Sequence, residues 1–207
     1  MLGVLIPARN EEKNIEAVIK NILDCDISPD DIYVMDNNSS DQTRTIAEKL
    51  KVNVSLVENI GYHTALNEGM KLLIKKQYTK FCIIDGDNEI GRASIETAII
   101  RSKTYEFNVG KRPKVERFGE RIVNKVINHL YGIEDLMCGV KSGELTYYNN
   151  FNKLEYGIDL INLKDIPEQK ISNFNINVNK RSESRLGNNF IVNIKLIINI
   201  LKFLYLK

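Results

Sequence analysis

Short apolar runs alternate with longer stretches of helical period from the first residues onward. Leu2-Gly3-Val4-Leu5-Ile6 is unbroken by charge and ends at Pro7, the pattern of a strand buried on both faces. Ile15, Val18, Ile19, Ile22 and Leu23 then recur at helical spacing, which predicts a helix with one face on a sheet. Asn10 is placed to cap that helix, with Glu11 and Glu12 in its first turn, where acidic side chains favour the helix dipole. The unit repeats: Ile32 to Met35 reads as a strand, 45–50 as a helix, Val52 to Val57 as a strand, Ala65 to Ile74 as a helix and Phe81 to Ile84 as a fourth strand. Strands alternating with helices predict an α/β fold, a mostly parallel sheet with helices on both faces. Ligands of such sheets lie beyond the carboxyl ends of the strands. Pro7 to Glu11, Asp36 to Asp41 and Asp85 to Glu89 are therefore expected to converge on one crevice.

The fourth strand ends in Asp85-Gly86-Asp87-Asn88-Glu89. A strand end is held still, and a glycine between two acids allows a turn that points both carboxylates at one ion. Hard cations such as Mg2+ or Mn2+ take oxygen ligands and share them with substrate phosphates. A second reading fits the same residues: Asp85 and Asp87 form an Asx turn that caps the next helix.

The net charge of +2 hides two basic segments. Residues 101–125 hold eight Lys or Arg against three Glu, and 177–207 hold six against one, so the rest of the chain carries −8. An acidic half facing a basic half suits a phosphate-rich substrate with its cation; a solvated helix of mixed charge also fits 101–125. Nucleic acid is not an expected partner, since no aromatic-interleaved basic motif is present and the pI is near 8.3. With 207 residues, 43% of them apolar, the chain is long enough for one well-packed domain. That domain is assigned to 1–187, with a helix at 188–207. Cys25, Cys82 and Cys138 lack metal spacing and read as reduced side chains, Cys25 and Cys82 in the core. His63 and His129 have no partner at a metal-binding interval. Leu2 to Ile6 lacks the basic flank and cleavage site of a secretory leader.

Taken together and in order, "VLIPARNEEKNI", "VMDNNSSDQT", "NIGYHTALNEGM" and "IIDGDNEI" resemble the nucleotide-sugar half of family 2 glycosyltransferases with the GT-A fold. The resemblance implies an inverting enzyme, with Asp85 and Asp87 on the metal. It also implies that Pro7, Arg9, Glu11, Asp36, Asn38, Asp41, Gly61 and Asn67 shape the nucleotide-sugar pocket. The stretch "VGKRPKVERFGERIVNKVINHLYGIEDLMCGVKSG" is similar to polyprenyl-phosphate sugar transferases of the dolichol-phosphate mannose synthase group. By that likeness Arg112 and Arg121 bind phosphate, and Asp135 with Gly139 and Lys141 forms a turn beside the reacting sugar. "NVNKRSESRLG" resembles that group's basic loop, placing Arg181, Ser184 and Arg185 over the pyrophosphate. The short gap between Arg112 and Arg121 departs from the pattern, as does the glycine between the acids. The implied reaction moves a sugar from a UDP- or GDP-sugar to a polyprenyl phosphate, already an anion and needing no strong base. If the acceptor is instead a glycan hydroxyl, Asp135 is the candidate base. Sugar nucleotidyltransferases are a more distant alternative, because "IPARNEEKNI" lacks their glycine-rich basic opening. A non-catalytic nucleotide-sugar module is disfavoured by the intact Asp85, Asp87, Asp135 and Arg181.

From Phe190 to Leu206 apolar residues dominate, interrupted by Asn193, Lys195, Asn199 and Lys202. No run approaches the roughly 20 residues of a spanning helix. With Asn188, the residues Lys195, Asn199 and Lys202 recur at seven, four and three and predict a polar stripe opposite a wide apolar face. Such a helix can lie in a membrane interface or pack against the body of the protein or a second copy in a homodimer. The expected setting is cytoplasmic, at the inner face of the membrane.

Overall fold

The computed structural model describes residues 1–150, 154–179 and 190–205. In chain order the elements are β1 (Leu2–Ala8), α1 (Ile15–Leu23), β2 (Ile32–Asp36), α2 (Thr43–Lys49), β3 (Asn53–Leu56), α3 (Tyr62–Lys75) and β4 (Lys80–Ile84). They continue with α4 (Arg92–Arg101), β5 (Phe107–Lys111), α5 (Phe118–Tyr131), β6 (Val140–Glu144), β7 (Ile171–Asn175) and α6 (Phe190–Tyr205). All strands join one sheet in the order β3-β2-β1-β4-β6-β5-β7. The first four run parallel, β6 is antiparallel to β4 and β5, and β7 is parallel to β5.

The apolar runs become the central strands. Val4, Leu5 and Ile6 of β1 and Phe81, Cys82, Ile83 and Ile84 of β4 are fully buried, as strands covered on both faces must be. Gly3 and Leu5 face α3, whose Leu73 packs over Gly3 and whose Gly69 meets Leu5. By strand alternation Val4 and Ile6 turn to the opposite face, where α1 groups with α2 and α4.

Three local expectations are corrected. Asn10 does not cap α1, which begins at Ile15; it adopts φ 53° and its Oδ1 accepts from the Ser40 amide at 2.8 Å. The Asp41 carboxylate accepts from the Glu12 amide at 3.0 Å, and the Glu11 amide donates to Thr43 Oγ1 at 2.7 Å. Asn10, Glu11 and Glu12 thus spend their backbone groups stapling the loop after β1 to the loop after β2. Asp85 and Asp87, moreover, do not cap α4, whose N-cap is Gly91 without a side-chain bond; Gly86 lies in the turn between the acids but without a left-handed backbone. That conformation falls on Asn88, at φ 58°, a residue type that tolerates it.

The reversal of β6 matters most for the site. Because Ile84 of β4 pairs with Val140 of β6, the start of β6 lies beside the end of β4. The segment after β7 returns to the same place: Ile90 bridges Val178, and the Asn179 amide donates to the Glu89 carbonyl at 2.8 Å.

Candidate active site

The carboxyl ends of β1, β2, β4, β5 and β7 and the amino end of β6 open into one cavity of about 440 Å3. Its acidic wall comes from Glu11, Asp85, Asp87 and Glu89. Asp85 is held on two sides. The Tyr62 hydroxyl donates to its Oδ1 at 2.8 Å, and its Oδ2 lies over Gly139, where an added Cβ would approach within 2.4 Å. Burial, reinforced by the neighbouring charge of Asp87, pushes the Asp85 carboxyl up to about 7, against the opposing pull of Tyr62 and Lys141. The Tyr62 ring stays partly on the surface while its hydroxyl turns inward, and burial followed by the Asp85 charge holds that hydroxyl far above its ordinary range. Asp87 accepts from the Glu89 amide at 3.1 Å. The Asx turn and the cavity-facing carboxylate are therefore both present.

The opposite wall is cationic. Arg112, Arg117 and Lys141 line the cavity, each steadied from behind. Arg112 forks onto Asp135 with Nε and an Nη at 2.8 Å each, and reaches Glu120 at 2.9 Å. Asn124 donates to the same Asp135 carboxylate at 2.8 Å. Arg117 pairs with Glu120 at 2.5 Å. Burial pulls the Arg112 guanidinium down, but Asp135 and Glu120 more than offset it, so a fixed cation is presented. Lys141 is buried, donates to the Leu136 carbonyl at 2.9 Å, and is lowered by that burial against the opposing charge of Asp85. Met137, Tyr156, Val178, Val192 and Leu196 close the remaining side with apolar surface.

Of the residues picked from sequence, Pro7, Arg9, Glu11, Gly61, Asp85, Asp87, Arg112, Gly139 and Lys141 line this cavity. Asp36 is buried and accepts from Arg44 and the Ser39 amide instead, Asn38 is exposed, and Asp41 is the loop staple. Asn67 accepts from the Tyr148 hydroxyl, tying α3 to the second half. Arg121 lies on the outer side of α5 over the Phe118 ring, 5.7 Å from its centre; Arg117, four residues earlier, occupies the cavity in its place. Asp135 stands behind Arg112 and off the cavity wall, with 1% of its surface exposed, so it is a positioning residue for that arginine. Arg181, Ser184 and Arg185 lie outside the described residues. Sequence reading missed Asn37, which lines the cavity and whose Oδ1 accepts from the Gly61 amide at 2.8 Å, and also Tyr62, Arg117, Glu120 and Tyr156. Asn37 had a usable signal as the first residue after a buried strand; the others depend on contacts between distant segments.

The profile of the family described as "Glycosyl transferase family 2" matches residues 3–154, which span both cavity walls. The chain belongs to glycosyltransferase family 2. Among relatives of this family 2 chain, a protein of Methanocaldococcus jannaschii is 38% identical over 91 residues, covering 40% of this chain and 38% of its own length. Glycosyltransferase AglJ of Haloferax volcanii is 26% identical over 152 residues, 67% of this chain and 48% of its own. The chain thus spans less than half the length of either relative. Glucosyl-3-phosphoglycerate synthase of Mycobacterium tuberculosis superposes with a TM-score of 0.79 at 18% identity, over 98% of this chain and 80% of that one. The same enzyme in complex with Mn2+, UDP and phosphoglyceric acid gives 0.78 at 17% identity, over 98% and 78%. The fold is GT-A.

Proposed function

We propose that this family 2 glycosyltransferase moves a sugar, with inversion, from a UDP- or GDP-sugar to a polyprenyl phosphate, using Mg2+ or Mn2+. The carrying observation is one cavity in which Asp85 and Asp87 face Arg112, Arg117 and Lys141 beside an apolar wall. The donor set is oxygen only, which fits a hard divalent ion. Among the described residues no group of three His, Cys, Asp or Glu could hold a metal ion; substrate phosphates would complete the coordination. Asp87, with Asp85, would hold the ion, whose charge would stabilise the departing nucleoside diphosphate. Asn37 and Gly61 shape the nucleoside end, and Lys141 sets a cation close to Asp85. Arg112 and Arg117, pre-oriented by Asp135 and Glu120, would turn positive charge toward phosphate oxygens in the cavity. A phosphate acceptor is already nucleophilic, so no cavity residue has to remove a proton.

A second reading has its own support. Phosphoglyceric acid is bound in the M. tuberculosis enzyme, and the same arginine pair would suit a small phosphorylated acceptor. The apolar wall of Met137, Tyr156, Val178, Val192 and Leu196 favours the lipid phosphate, because a small polar acceptor gains nothing from it. A glycan hydroxyl finds the least support, since the candidate base Asp135 is held by Arg112 off the cavity wall and Glu120 is paired with two arginines.

The test is a melting-temperature screen of UDP- and GDP-sugars with and without Mn2+, followed by transfer assays with polyprenyl phosphate, phosphoglyceric acid and oligosaccharides. A ligand that binds only the folded state raises the melting temperature. One nucleotide sugar should do so in a Mn2+-dependent manner, and Asp87→Ala should remove the effect. No shift with any donor would overturn the reading. Transfer to phosphoglyceric acid but not to polyprenyl phosphate would replace the acceptor.

A further inference from the structure

Helix α6 is held to the body of the protein by two asparagines. The Asn193 Oδ1 accepts from the Gly119 amide at 2.7 Å. Asn199 is buried, accepting from the Glu155 amide at 3.1 Å and donating to the Lys195 carbonyl at 2.8 Å. Of the predicted polar stripe Asn199 turns inward while Lys195 and Lys202 stay exposed; Asn193 and Asn199 dock the helix onto backbone donors, with Leu196 and Ile200 buried beside them. What faces outward is apolar: Phe190, Ile191, Ile194, Ile198, Leu201 and Tyr205 are between 40% and 91% exposed. At 100° per residue these side chains fill a continuous arc of about 100°, and Lys195 and Lys202 border it along one edge. Scattered exposed apolar residues need no partner, but a contiguous stripe does.

We propose that the outer face of α6 docks in the plane of an anionic lipid surface. Charge decides the occupant. Residues 190–205 contain no Asp or Glu. The neighbouring α5 shows exposed Phe118, Arg121, Lys125 and Leu130, extending the same combination of apolar and cationic side chains. Among the described residues Glu155 is the acid paired with α6, 3.9 Å from Lys195, and both side chains are about half exposed. An apolar stripe edged by lysines matches acyl chains below anionic headgroups. A second copy of α6 would bring only further lysines to that edge, with no acid on the helix to pair them. No helix among the described residues is long and apolar enough to cross a membrane, so the contact is with the surface. The inner side of the same helix supplies Val192 and Leu196 to the cavity. Docking would thus hold the apolar wall against the bilayer, where a lipid-linked acceptor resides; this last step rests on the function proposed above.

Removing α6 would also remove part of the cavity wall, so the test keeps the helix and changes its outer face. The full chain is sedimented with vesicles of phosphatidylcholine alone or mixed with phosphatidylglycerol, at low and high salt, without donor or acceptor. Binding to the anionic vesicles at low salt is expected. Lys195→Glu with Lys202→Glu should weaken it about tenfold or more, and Ile198→Asp with Leu201→Asp should abolish it. Both variants should keep the wild-type melting temperature. A wild-type protein that stays in the supernatant with anionic vesicles at low salt overturns the proposal. So does light scattering that shows a dimer, lost in the Ile198–Leu201 variant, whose presence excludes vesicles. Vesicle binding without transfer to polyprenyl phosphate would leave the docking face standing and remove the proposed acceptor, so the two ideas fail separately.

Discussion

The Tyr62 hydroxyl and the Asp85 carboxylate meet at 2.8 Å, linking the first residue of α3 to the end of β4. The donated hydrogen bond favours the charged carboxylate, which burial and Asp87 oppose. Removing it in Tyr62→Phe should therefore raise the Mn2+ concentration needed for half-maximal turnover at pH 7. The expected size is about tenfold, equivalent to about 1.4 kcal/mol for a hydrogen bond to a charged group. At higher pH, where Asp85 ionises without help, the difference should shrink. An unchanged Mn2+ requirement at both pH values would assign Tyr62 to structure alone.

The two glycines nearest the acids should behave oppositely. A Cβ at Gly139 would lie 2.4 Å from Asp85 Oδ2 and 2.7 Å from its Cγ, while one at Gly86 would meet Ala8 Cβ and the Pro7 carbonyl at 3.2 Å. Only the Asp85 side chain has to move for Gly139→Ala, so the fold should survive with a small drop in melting temperature. Its displaced carboxylate should cost turnover roughly a hundredfold, the scale of losing a major charge stabiliser. Gly86→Ala should remain within about threefold of wild type, because the left-handed conformation falls on Asn88 and Gly86 has no positive φ. Equal losses in the two variants, at equal stability, would contradict this geometry.

Asp135 offers a choice between base and scaffold. Its carboxylate accepts from Arg112 and Asn124, so Asp135→Asn breaks a buried pair and leaves the guanidinium partly uncompensated. A loss of about 3 kcal/mol in unfolding free energy is expected by the cost of such a break, measured by chemical denaturation. The shape of the pH–rate profile should not change. A stable variant that has lost one limb of that profile would instead make Asp135 the base.

The first half of this fold was legible because its strands are apolar runs buried on both faces and its loops carry the site. β1 and β4 appear in the sequence as Leu2–Ile6 and Phe81–Ile84, and their ends deliver Pro7, Asp85 and Asp87 to the cavity. The strands β5, β6 and β7 read FNVGK, VKSGE and ISNFN. They are short and carry Asn108, Lys141, Ser142 and Ser172 at buried positions, so neither alternation nor a continuous apolar run marks them. Their pairing is fixed by tertiary contacts, above all the reversal that places Gly139 beside Asp85. The same limit explains Arg121 and Arg117. Sequence spacing shows both as basic, while the start of α5 at Phe118 decides which one meets Glu120 and the cavity. In α6 the wheel located the exposed Lys195 and Lys202 but not the turn of Asn199 to the inside; Asn193 and Asn199 accept there from the backbone amides of Gly119 and Glu155.

Asp85 should also link stability to pH in the metal-free protein. Its carboxyl stands at about 7 in the folded chain against an ordinary value of 3.8, so between those values the folded state keeps a proton that the unfolded state has released. Stability therefore decreases as pH rises through this window, and the contribution is complete below the lower value and lost above the upper one. With a chelator present, the wild-type melting temperature should fall from about pH 5 to about pH 8, whereas Asp85→Asn should fall less. Adding Mn2+ should reverse the trend, since an ion that requires the charged carboxylate binds more tightly as the proton leaves. Parallel slopes for wild type and Asp85→Asn, with no pH dependence of the Mn2+ shift, would show that this carboxyl ionises normally and is not the group the ion displaces a proton from.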